Sequence, residues 1–191
     1  MADNDDYLDD LDLELEPSTA RFPRKRGHTV ENLLPRALIE SVIGMEGIRD
    51  ISTREGFCLV VEAPSFDWCE PLHRALKTMG SWDLHHCPPA IKKPSRDDAT
   101  SQQLVAVLGT GGRAFGISHH PSQMLPPAML ASADQVLKLP PPDARVISAV
   151  IKAVTGTVQE GLQNKDIAGL EFEEIAACIR QGSTSEECLN R

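Results

Sequence analysis

Aromatic residues are scarce: they make up 4% of 191 positions. A core must therefore be built from Leu, Ile, Val and Ala, and a hydrophobic content of 41% supplies enough of them. Cysteine occurs five times, at positions 58, 69, 87, 178 and 188, with no short C-x-x-C. An odd count without that spacing argues against a disulfide framework and against a structural zinc finger. Cys58 and Cys178 lie in apolar runs and read as small buried hydrophobes. No apolar run approaches the roughly 18 residues of a membrane helix, and the amino terminus has no apolar signal core. A cytoplasmic chain without membrane contact is expected. Excess positive charge is missing too. The net charge is −9, and eight acids fall in residues 1–16, which hold no base. The rest is nearly neutral, so a basic face for nucleic acid is not expected.

The most informative run present is Gly56–Trp68, which reads as a buried strand, a turn and the start of a helix. An α/β nucleotide-binding domain holds phosphates at such a turn. That chemistry needs glycines, whose backbone N–H groups can reach the phosphates, and a Lys-Ser/Thr pair for charge and magnesium. Here Glu62, Ala63, Pro64, Ser65 and Phe66 stand instead, and no lysine occurs between Gly56 and Arg74. Pro64 lacks an N–H donor and Glu62 repels phosphate. The scaffold is expected without its phosphate chemistry.

Residues 1–27 are expected to be a disordered tail, acidic at first and basic at Arg21, Arg24, Lys25 and Arg26. Within it, Tyr7, Leu8, Leu11 and Leu13 form a candidate docking motif for a sheet edge or a groove. A core follows over 28–157, and a lid-like hairpin or linker over 158–191. Helical spacing runs from Thr29 to a stop at Gly44, with Pro35 in the first turn. Strands are expected at Phe57–Val61, Trp82–His86, Arg113–Ser118 and Gln135–Leu139. Helices alternate with them: one capped by Ser65 or starting near Glu70, then Ser101–Leu108, then Pro127–Ser132. A longer one is capped by Asp143 and stopped by Gly156. This alternation implies an α/β fold with a small parallel sheet of about four strands and flanking helices. Leu170–Arg180 reads as an amphipathic helix, and Ser183 to Glu186 as the capping box of a second. That last helix is short and looks truncated, as though a longer protein continues.

Three candidate sites stand against plainer readings. The run Gly109-Thr-Gly-Gly-Arg-Ala114, with Gly109, Gly111 and Gly112 as candidate binding residues, fits G-x-G-x-x-A with Asp134 as the ribose acid, but this fingerprint needs a strand before it and a helix after. The plainer reading is a glycine-rich turn between helix and strand. His86, Cys87 and His119 lie at two strand ends and suit zinc if the strands are neighbours. Otherwise these are edge residues bonding strand ends. Cys87 with a histidine as nucleophile lacks an acid to orient the base. Asp67 and Glu70 sit near a helix start, where the dipole favours carboxylates.

The run Arg113–Asp134, with its Leu125-Pro126 and Ala133-Asp134, resembles the later half of an AAA-family ATPase core. So does the continuation Val136–Arg145, with Pro141, Asp143 and Arg145 leading into a helix. Leu170–Arg191 resembles the start of that family's helical lid. Residues from about Arg26 to Arg191 are similar to the N-terminal region of bacterial FtsH-like AAA ATPases, which precedes their active domain. The departures are the absent phosphate loop at Glu62–Trp68 and the absent acidic strand end, where His86 and Ser118 stand instead. His119 falls near the sensor position.

The resemblance implies a degenerate, non-catalytic module with no cofactor of its own. ATP and magnesium are implied only for a following domain that unfolds or degrades proteins. Its expected partners are proteins, with self-association through the parent ATPase, and its expected role is assembly or recruitment. It also implies an exposed apolar face on Leu170–Ile179. Two alternatives stand beside it: a nucleotide-binding enzyme using the Gly109–Gly112 turn, and a free-standing protein-interaction adaptor.

Overall fold

The computed structural model describes residues 29–89, 98–157 and 161–191. The tail over 1–27, with Tyr7, Leu8, Leu11 and Leu13, lies outside them.

The core is a four-stranded parallel sheet. Its strands are β1 (Cys58–Glu62), β2 (Leu84–His86), β3 (Ala114–Ser118) and β4 (Gln135–Lys138). The spatial order is β2-β3-β1-β4, which puts β1 and β3 in the centre. Both are covered on two faces, which is why they read as unbroken apolar runs. Alternate side chains of β1 then serve different clusters. Leu59 and Val61 face the larger one, and Cys58 and Val60 the smaller.

The larger face takes buried residues from α1 (Val30–Thr53), α2 (Cys69–Met79), α6 (Ala144–Thr155), α8 (Phe172–Cys178) and α9 (Ser185–Leu189). Gly44 interrupts α1 with a φ of 67°, in the left-handed region that favours glycine, so the expected stop is a kink and helix resumes to Thr53. Pro35 lies in the second turn of α1, not the first. Helix α6 is built as its sequence indicates. The Asp143 carboxylate accepts from the Arg145 and Val146 N–H groups, Gly156 closes the helix, and Val146, Ile147, Val150 and Ile151 are buried.

The smaller face carries α3 (Asp98–Gly109) and α5 (Pro127–Ala131), through Leu104 and Met129. Two short helices, α4 (Pro121–Met124) and α7 (Asn164–Ile167), were not anticipated. The last cap is Thr184 with Glu187, one residue later than expected. Cys58 is buried as expected, whereas Cys178 is only half-buried.

The expectation of an exposed apolar face on Leu170–Ile179 is corrected. Phe172, Ile175 and Ile179 are 3–4% exposed and belong to the larger cluster, while Leu170 and Ala177 are exposed. The face is complementary to this chain's own core.

Candidate functional site

Open α/β sheets form a ligand crevice beyond the carboxyl ends of two neighbouring strands whose following helices go to opposite faces. Here those strands are β1 and β3. The chain leaves β1 for α2 on the larger cluster, and leaves β3 for α4 and α5 on the side of the smaller one. The crevice therefore opens beyond Glu62 and Ser118, which are register partners.

The chain's own groups occupy several of the donors and acceptors there. Glu62 pairs with Lys138 at the end of β4, with Oε1 2.7 Å from Nζ. The Ala63 N–H donates to the Ser118 carbonyl at 3.0 Å, continuing the ladder. Pro64 has no donor. The Ser65 hydroxyl donates to Asp67 instead of capping α2. A 3₁₀ turn, Phe66–Trp68, follows and delays α2 to Cys69, which seats Pro71 harmlessly in its first turn.

Asp67 then makes a long-range contact. Its Oδ2 accepts the Phe172 N–H at 2.6 Å, at the start of α8. The buried Trp68 ring meets Phe172 edge to face, with centroids 5.0 Å apart. The turn that would cradle phosphate is thus a joint to the C-terminal hairpin. Phe66 lies on the outer side, 45% exposed, with its ring edge-on to His119 at 5.7 Å. The buried Ser118 hydroxyl accepts the His120 N–H and turns the chain into α4. Burial, with His120 as a lesser cause, lowers the His119 pKa, so its ring is neutral at pH 7.

The glycine turn lies at the opposite edge of the sheet. It follows α3 and precedes β3, the reverse of the strand-turn-helix order a dinucleotide fingerprint needs. Gly111, at φ 80°, caps α3: its N–H donates to Leu108 O at 3.0 Å, and the Gly112 N–H donates to Val107 O at 2.8 Å. Both amides are committed to the helix end. Asp134, the residue considered for ribose, accepts the Cys58 N–H at 2.9 Å and closes the β1–β4 ladder. Arg113 follows the turn and is 7% exposed. Its guanidinium donates to the carbonyls of Ile51, Ser52 and Ser81 and lies over Trp82, holding the end of α1.

The proposed ligand trio is not assembled. Strands β2 and β3 are neighbours, but His86 is level with Gly116, three residues short of His119. Among the described residues no group of three or more His, Cys, Asp or Glu side chains could hold a metal ion. Burial, aided by Cys69 and Glu70, pushes the Cys87 thiol up to about 12, so it is not an activated nucleophile. One histidine contact escaped the sequence reading. His73 Nε2 lies 3.1 Å from His85 Nδ1, and His73 Nδ1 is 3.6 Å from Glu70. No periodicity links a helix residue to a strand residue across the intervening turn.

No family model, no curated protein and no solved structure matches this chain.

Proposed function

We propose that this chain is a non-catalytic accessory module of an AAA-family ATPase, serving assembly or substrate recruitment while a neighbouring domain turns over ATP. The observation that carries the reading is the Asp67–Phe172 contact at 2.6 Å. A carboxylate beside the crevice repels phosphate, and its best acceptor atom already holds a backbone N–H of the hairpin. The Glu62–Lys138 pair adds to this, because the cation at the crevice is neutralised by a carboxylate of the same sheet edge. A module of this kind acts through its surface, so its expected partners are proteins.

Isothermal calorimetry of the folded chain with ATP-Mg, ADP and NAD at millimolar ligand tests the inert-crevice half of this reading. No saturable heat is expected from any of them. Binding tighter than about 100 μM, roughly 5.5 kcal/mol, would overturn it.

A further inference from the structure

A groove of 570 Å³ lies where the described chain begins, between the first turn of α1, the first turns of α2, and α8. Its apolar lining comes from Val30, Pro71, Phe172, Ala176 and Ala177. Among the described residues its charged lining is one-sided: Glu31, Asp67, Glu70 and Glu173 against the guanidinium of Arg74. That cation spans Glu31 and Glu70 at 3.7 Å each, too long for close pairing, and all three side chains are about half exposed or more. An occupant should therefore combine a flat apolar side chain with several positive charges.

The chain carries such a segment next to the groove. Arg21-Phe22-Pro23-Arg24-Lys25-Arg26 holds four cations and one phenylalanine, and only Gly27 and His28 separate it from Thr29, which itself lines the groove. Two extended residues span about 7 Å, so Arg26 reaches the rim without a long loop. Such a short tether gives an effective concentration in the millimolar range, enough for weak charge pairs to hold.

We propose that residues 21–26 dock in this groove of their own chain, with Phe22 against the apolar lining and the cations against Glu31, Glu70 and Glu173. The interaction is intramolecular and salt-sensitive. It stands independently of the function proposed above.

Trypsin reads this contact in the full chain, because Arg21, Arg24, Lys25 and Arg26 are all cleavage sites. The reference is a synthetic peptide of residues 17–28 under the same conditions. In about 20 mM salt, cleavage within 21–26 is expected to be about tenfold slower than in the peptide. In the double variant Glu31→Gln/Glu173→Gln, and in about 0.5 M salt, the rate should approach that of the peptide in the same buffer. Circular dichroism confirms that the variant is folded. Two results would overturn the proposal. One is a wild-type rate equal to that of the peptide. The other is protection that survives in the double variant, whether or not deleting residues 1–16 abolishes it, since the acidic segment would then be the binding surface.

Discussion

The two edges of the sheet use polar groups differently. At the amino edge, Arg113 is almost fully buried; its two terminal nitrogens donate to three backbone carbonyls, two of them at the end of α1, while its Nε has no partner among the described residues. The glycine turn beside it caps α3 with its own amides. At the carboxyl edge, the polar contacts are more exposed, apart from that of the buried Ser118. One ion pair, one carboxylate-to-amide bond and a half-exposed Phe66 stand where a ligand crevice would open, beside a cleft of 540 Å³ lined by Pro64, Ser65 and Trp68. The amino edge closes the fold upon itself. The carboxyl edge attaches the C-terminal hairpin through Asp67 and Trp68. Burial depth sets this difference, because the same hydrogen bond is worth more when its loss strands a group away from water.

Substitutions can break this comparison at either edge. The largest effect is expected from Phe172→Ala, which empties a buried ring site against Trp68 and should cost about 3–5 kcal/mol in urea unfolding. Arg113→Met follows at about 3 kcal/mol, because three carbonyls lose their donor while the aliphatic packing is kept. Its loss should appear as one cooperative transition with the wild-type slope, since the amino edge has no separable part. Asp67→Ala sharpens the contrast. It removes a charged acceptor worth about 1.5–3 kcal/mol, and the loss should be confined to the hairpin. A fall in the stability of the whole sheet would show that the two edges are one unit.

The smallest effect is the pH dependence. Burial is the first cause lowering the pKa of His73, His86 and His119 below the ordinary 6.5. Each binds its proton more readily when unfolded, so their contribution is intact above pH 6.5 and is lost as pH falls below it. Asp143 is held below 3.8, first by the Val146 N–H, so its contribution is present above that value and is lost in stronger acid. Urea midpoints across pH 8 to 3 should therefore fall in two stages, and His119→Gln should flatten part of the first. An unchanged first stage would remove the carboxyl edge from the titration.

Much of this fold was legible from local pattern. The runs around β1 and β3, the Asp143 cap and the Gly156 stop are all signals within a few residues of their effect, and each corresponds to an element of the structure. Gly44 was legible as a break but not as a kink, because what resumes the helix is packing of Ile48 and Ile51 into the core. The helices α4 and α7 are one turn each, too short for a periodicity to register. The site was half legible. Missing glycines and lysine at Glu62–Trp68 were visible in the sequence. The joint that fills the place was not, because Asp67 and Phe172 lie 105 residues apart. Likewise the resemblance implied an exposed apolar face on Leu170–Ile179, whereas most of that face packs on Trp68 and the core beneath.

The central claim is that the turn after β1 holds the hairpin rather than a ligand. Amide hydrogen exchange of the wild type and of Asp67→Ala tests it most directly. The account predicts that the Phe172 amide and segment 172–179 exchange faster in the variant, by about tenfold or more, while β1 and β3 keep their wild-type protection. Equal exchange of the hairpin in the two proteins would contradict it.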